Sequence, residues 1–209
     1  MQRRVAGHEE GWLLSYADLI TNLLLFFVVL LSAANLSKSK MQQISKAISG
    51  EAQPESLESI QKEIDKTIAE KGLSDIVTTK LQDDGLVMEL KSGFVFPSGK
   101  AVLNPAVEAP LAAMLTELKP YAGTYSFAVE GHTDSTPLQP GAQYASNWEL
   151  SSSRAISVRE RMERVGIDPR KIRVEGYADT RPLPEEDLAK EPTAEARNAR
   201  LRRVVVRVY

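Results

Sequence analysis

The stretch YSFAVEGHTDSTPLQPGAQYASNWELSSSRAISVRERMERVG, residues 125–166, decides the fold of the larger part of this chain. Tyr125 to Glu130 reads as a strand and runs into Gly131-His132-Thr133-Asp134. Pro137, Pro140 and Gly141 keep the next ten residues irregular. From about Asn147 the period changes. Leu150, Ala155, Val158, Met162 and Val165 form a helical apolar seam that Gly166 ends. Polar chemistry gathers at this strand-to-helix junction. Asp134 offers a carboxylate at the end of the strand. Asn147 and Arg154 lie seven apart, about two helical turns, and so share a face. Arg154 is a two-pronged cation, and Asn147 brings amide donors and an acceptor. An acid beside a guanidinium suits a zwitterionic amino-acid end, with its ammonium and carboxylate on one carbon, and Leu150 would form an apolar wall. A plainer reading is an Asp134–Arg154 ion pair that only ties strand to helix. The two roles can coexist.

Outward from this unit the elements continue. Downstream, Ile172 to Glu175 is a strand closed by Gly176, then Pro182, Pro184 and Pro192 mark a long loop, and Val204 to Val208 is the last strand. Upstream, Pro105 suits the first turn of a helix whose apolar face is Leu111, Met114, Leu115 and Leu118. Phe94 to Gly99 and Leu103-Asn104-Pro105 read as loops. Ile76 to Gln82 and Leu86 to Leu90 are strands joined through Asp83-Asp84-Gly85, a hairpin signal. Leu57, Ile60, Ile64 and Ile68 keep a helical period, with Gly72 as the stop. The order predicts an α+β domain, an α/β sandwich with helices on one face of a mixed sheet.

The N-terminal part has another character. Trp12 to about Ala34 is an almost unbroken apolar run. About 23 residues at ~1.5 Å each give a helix of ~34 Å, enough to cross a bilayer core of ~30 Å. Asp18 sits inside it, and an acid at mid-membrane depth costs roughly 2.5–3.5 kcal/mol. Ser15, Asp18 and Asn22 are three and four apart, with Thr21 beside them, so one polar stripe faces a partner or a wet cavity. A protonatable or cation-binding site is the reading that explains the stripe. The bland alternative has Asp18 snorkelling into headgroups, about two turns from Trp12. A third reading takes the segment as a cleaved secretory signal with Ser32-Ala33-Ala34 before the cut at Asn35. Against it, Glu9, Glu10 and Asp18 separate Arg3 and Arg4 from the apolar core. The segmentation expected is a leader at 1–11, a transmembrane helix at 12–34, a helical linker at 35–75 and the α+β domain at 76–209.

Composition narrows the function further. The 209 residues carry a formal charge of −2, so no global basic field invites nucleic acid. The basic cluster Arg159 to Lys171 is interleaved with Glu160, Glu163 and Asp168, as on a solvated helix face. There are no cysteines, which excludes disulfides and thiolate chemistry. His8 and His132 are far apart, which argues against a histidine metal site. A triad of His132, Asp134 and one of Ser151 to Ser153 can be imagined, but no serine stands on a nucleophile turn. The expectation is therefore a non-enzyme.

Trp12 to Asp18, Leu19-Ile20-Thr21 and Phe26 to Ser32 resemble the single transmembrane helix of MotB-type motor stator subunits. The ordered set Gly131-His132-Thr133-Asp134, Asn147-Trp148-Glu149-Leu150-Ser151, Arg154-Ala155, Gly176-Tyr177-Ala178-Asp179, Pro182 and Arg202-Arg203-Val204 is similar to the OmpA-like, MotB-type peptidoglycan-binding domain. The resemblance implies that Asp18 carries a proton or sodium ion and that Ser15, Thr21 and Asn22 line its path. It implies a ring of MotA-like or ZorA-like multi-span partners around a homodimer of this chain. It also implies that Asp134, Asn147, Leu150 and Arg154 hold the diaminopimelate end of a peptidoglycan stem peptide. No prosthetic cofactor or metal is implied, and no direct nucleic-acid contact. The place implied is the bacterial inner membrane, single pass, N-terminus cytoplasmic and C-terminal domain periplasmic. The segment 35–50 occupies the place of the family's plug.

This chain departs from the family pattern in one place. The family usually writes Asn-Arg-Arg-Val before its last strand, with an arginine three residues before that asparagine. Here Leu201 and Asn198 stand there, with Arg197 or Arg200 as neighbouring substitutes and Arg202 and Arg203 expected to stabilise the strand or meet solvent. That departure, the short leader and the compact membrane-to-domain region lean towards a ZorB-like, anti-phage member over a flagellar stator. A passive wall tether, or a secreted OmpA-like protein without ion transport, is the alternative of a different class.

Overall fold

The computed structural model describes residues 11–34 and 56–209. Residues 1–10 of the expected leader 1–11, the signal-cleavage point at Asn35 and the plug-like segment 35–50 lie outside the described residues. The chain divides into two compact units, residues 1–53 and 54–209.

The described part of the first unit is one helix, α1 (Gly11–Ala34). Its 24 residues span about 36 Å at 1.5 Å per residue. Trp12 to Val29 is the one stretch among the described residues long and apolar enough to cross a membrane, and none of it is buried by protein.

The second unit is built on a five-stranded sheet in the order β1-β2-β5-β3-β4, from β1 (Val77–Gln82), β2 (Gly85–Lys91), β3 (Phe127–His132), β4 (Ile172–Ala178) and β5 (Arg203–Val208). β3 and β4 run parallel and the other neighbours are antiparallel, so the sheet is mixed. The predicted α+β class holds. The hairpin closes at Gln82 and Gly85 around Asp83 and Asp84. Gly85 has φ +147°, and a Cβ there would stand 2.2 Å from the Val208 carbonyl oxygen.

Alternation along each strand divides the residues between the two sheet faces. One face presents Leu86, Met88, Leu90, Phe127, Val129, Val204, Val206 and Val208, all buried. Against it pack α2 (Leu57–Glu70) through Ile60, Ile64 and Ile68, α4 (Pro105–Thr116) through Leu111, Met114 and Leu115, and α5 (Asn147–Arg164) through Ala155, Val158 and Met162. Each helix starts on a side-chain cap. Ser56, Asn104 and Ser146 accept from the amides of Ser59, Ala106 and Glu149.

Three local expectations need correction. Phe94 and Val95, expected as loop, belong to a single helical turn, α3 (Ser92–Val95). β4 does not stop at Gly176 but runs on to Ala178. The proline-marked loop holds two short helices, α6 (Glu185–Leu188) and α7 (Ala194–Leu201), the latter capped by Thr193. These sit by the polar face of the sheet. Arg200 there pairs with Glu89 at 2.6 Å, Lys80 with Asp187 at 3.2 Å, and Arg203 Nη2 donates to the Arg181 carbonyl at 3.0 Å.

Candidate functional site

Two glycines let α5 approach the sheet. A Cβ on Gly131 would lie 2.0 Å from the Ser151 carbonyl oxygen, and one on Gly176 would lie 2.0 Å from Ser152 Oγ. At Gly131 only hydrogen fits against the backbone carbonyl, whereas at Gly176 the Ser152 hydroxyl would have to rotate away. The Ser151 hydroxyl accepts from the Ala178 amide at 3.2 Å, and the Thr133 amide donates to the Ala178 carbonyl at 2.8 Å. Ala178 holds φ +48°, left-handed for a residue with a Cβ, where β4 ends beside the loop after β3. The glycines that read as strand stops are therefore contact points for the helix that brings Asn147 and Arg154 to the strand ends.

Asp134 stands two residues beyond β3 and is only 4% exposed. Its Oδ1 accepts from the Thr136 amide at 3.0 Å, and its Oδ2 accepts from Arg202 Nη1 at 2.5 Å. Asn147 Nδ2 donates to the carbonyls of Asp134 (3.3 Å) and Thr136 (2.9 Å), fixing the loop that aims the acid. Leu150 is buried beneath. Arg154, also 4% exposed, donates from Nε to the Lys100 carbonyl at 2.9 Å and lies 5.3 Å from the Phe96 ring centroid. Burial and the neighbouring charge of Arg202 bring its pKa down to about 10, with Tyr144 and Asp134 pulling the other way. It remains a cation at neutral pH.

The plainer alternative, a direct Asp134–Arg154 ion pair, is not formed. Arg202 takes the carboxylate instead, so its expected role of strand support or solvent exposure is corrected. Arg203 does support the strand end, through the Leu201 and Arg181 carbonyls. Arg200 turns away to Glu89, and Arg197 lies 3.8 Å from Glu185. The residues missed by sequence reading are Arg202, Phe96 and the Lys100 carbonyl. Arg202 was visible as part of the Arg-Arg-Val run, but its partner is 68 positions away.

His132 ends β3 with its ring stacked on Tyr177 at 5.4 Å between centroids. Its Nε2 lies 3.5 Å from the Glu130 carboxylate, and burial, outweighing that contact, holds its pKa below the ordinary value. Ser151 Oγ donates to the Trp148 carbonyl, so no serine is joined to this histidine.

On α1, Asn22 Nδ2 donates to Asp18 Oδ1 at 3.4 Å, and Thr21 Oγ1 donates to the Asp18 carbonyl at 3.0 Å. Helical geometry places Ser15, Asp18 and Asn22 on one face. The stripe pairs a carboxylate with an amide along a helix otherwise clothed in Leu, Phe and Val.

Residues 95–199, half of the chain, match the model of the OmpA family. The chain belongs to the OmpA family. Residues 2–51 match a second model, described as membrane MotB of the proton-channel complex MotA/MotB. Motility protein B of Bacillus subtilis (strain 168) is 26% identical over 234 residues, covering 91% of this chain and 87% of the relative. A MotB-like protein from Desulfovibrio vulgaris superimposes with a TM-score of 0.63 at 21% identity, covering 73% of this chain and 92% of that one. The cell wall anchor of the T6SS from Pseudomonas aeruginosa gives 0.58 at 25% identity, covering 70% and 96%. The OmpA-family domain with an apolar helix before it is thus a MotB-type arrangement, which fits an inner-membrane protein with a periplasmic C-terminal domain.

Proposed function

We propose that this chain is the wall-anchored B subunit of an ion-driven membrane motor. The observation that carries the reading is the union, in one chain, of an acid-bearing helix of membrane length and an OmpA-family domain with an acid and guanidiniums gathered at its strand ends. Asp18 takes up and releases a proton or sodium ion beside a ring of multi-span partners, with Ser15, Thr21 and Asn22 along the path. The N-terminus is cytoplasmic and two copies work together. Asp134, Asn147, Leu150 and Arg154 hold the ammonium and carboxylate of a diaminopimelate-bearing stem peptide, so that torque has a fixed support. The match to a model described as a proton-channel complex supports the first half. The likeness to a cell wall anchor supports the second.

The replacement of the usual asparagine by Leu201 favours a ZorB-like defence motor over a flagellar one. A neighbouring MotA-like gene set among helicases or nucleases supports that choice, and one set among flagellar genes refutes it. The experiment for the whole reading is purification of the tagged chain from native membranes, with binding to isolated sacculi measured in parallel. A multi-span membrane protein is expected in the eluate, and Arg154→Ala is expected to abolish sacculus binding. A chain that starts at Asn35 and elutes with no multi-span partner would be a passive tether.

A further inference from the structure

The charges at the strand ends do not balance. Arg154 and Arg202 bring two guanidiniums, and the carboxylate bonded to either of them is that of Asp134 alone among the described residues. Burial and, after it, the nearby Arg202 lower the proton affinity of Arg154. Arg154 is nine-tenths buried, yet among the described residues only its Nε makes a hydrogen bond, which leaves both terminal nitrogens for a ligand. Arg202 is different. It sits between α7 and β5, its side chain is 32% exposed, and it reaches Asp134 through a single nitrogen.

A zwitterionic amino-acid end brings one ammonium and one carboxylate. Its carboxylate satisfies Arg154 and its ammonium needs Asp134, where Arg202 now stands. Displacing Arg202 would leave its charge unmatched in a partly desolvated cleft, which is unfavourable unless another anion meets it. We infer that Arg202 is a specificity-determining residue, released from Asp134 by the ligand's ammonium and then binding a second ligand carboxylate. The cleft therefore selects stem peptides of overall negative charge, whose carboxyl groups are free, over those in which one is amidated. This rests on the reading of Asp134 and Arg154 as the diaminopimelate site.

The test measures Kd for the full chain in detergent with two synthetic probes. One is the tripeptide L-Ala-γ-D-Glu-meso-diaminopimelate. The other is the same peptide with its D-Glu α-carboxyl amidated. Wild type is expected to bind the free acid about tenfold tighter, the low end for one charge-assisted hydrogen bond. Arg202→Gln is expected to lose that preference, weakening the free acid about tenfold and shifting the amide less than about twofold. Arg202→Lys keeps a cation and is expected to retain part of the preference, which distinguishes charge selection from misfolding. Equal discrimination by wild type and Arg202→Gln overturns the inference while leaving the site in place. So does equal tightening of both probes, which would make Arg202 only an internal competitor. Arg154→Ala reports on the underlying reading, and if wild type binds neither probe, or Arg154→Ala binds both unchanged, that reading falls and this inference with it.

Discussion

Replacing Gly131 with alanine tests how the site is assembled. The added Cβ would lie 2.0 Å from the Ser151 carbonyl oxygen and 2.6 Å from its carbon. An ordinary carbon-to-oxygen approach is about 3.3 Å, so roughly 1.3 Å must be found. Both atoms belong to the α5 backbone, and no rotamer change relieves them. The helix itself must lift, pulling Leu150, Ala155, Val158 and Met162 from the sheet. A gap of 0.5–1 Å already forfeits about a quarter to a half of a dispersion contact, and overpacking of this kind costs about 1–3 kcal/mol. The expectation is the top of that range, about 3 kcal/mol. Gly176→Ala is the control, because the Cβ there meets the Ser152 hydroxyl, which can rotate away, and the remaining approach to Ser152 Cβ is 3.1 Å. Its expected cost is about 1 kcal/mol, relieved by adding Ser152→Gly. The assay is denaturant unfolding of the full chain in detergent, followed by Trp148 fluorescence, with sacculus binding alongside. Gly131→Ala should also weaken binding, since Asn147 and Arg154 ride on the displaced helix. Equal stability of the two alanine variants would refute the close-approach account.

Two further outcomes follow from the same geometry. Asn147→Ala removes two hydrogen bonds to the loop carbonyls of Asp134 and Thr136, and should cost about 1–2 kcal/mol, with sacculus binding reduced several-fold. Undiminished binding would show that the loop aims Asp134 unaided. Glu130 is buried, which raises its pKa, but contacts with His132 and Arg207 prevail and hold it at about 2. Its ionised form therefore stabilises the fold fully above about pH 4.5, and that stability is lost as pH falls towards 2, at no more than about 1.4 kcal/mol per pH unit. Glu130→Gln should flatten the fall in denaturant midpoint between pH 4.5 and 3, and an unchanged slope would remove Glu130 from the acid transition.

The sequence displayed whatever depends on near neighbours. The isoleucines of α2, the seam of α5 and the turn at Asp83-Asp84-Gly85 repeat at the periods of a helix and a hairpin, and they emerge as such. Gly176 misled because a glycine signals a strand end as readily as a close approach, and only the position of Ser152 separates the two. The prolines at 182, 184 and 192 were read as breakers, but Pro184 and Thr193 stand at the starts of short helices. Arg202 escaped for a deeper reason. Spacing shows which residues share a face of one element, whereas its bond to Asp134 closes across the sheet end from an element 68 residues on. Arg154 was placed near the site from its helix face alone, but that face could not reveal that Lys100 and Phe96 would hold it and that Arg202 would pair with Asp134.

The central claim is that the carboxyl of Asp18 moves an ion across the membrane. Its most direct measurement is proton and sodium flux in liposomes holding the chain together with the multi-span protein purified alongside it. Flux of one of the two ions is predicted for wild type, and none above empty liposomes for Asp18→Asn. Undiminished flux through Asp18→Asn would contradict the account.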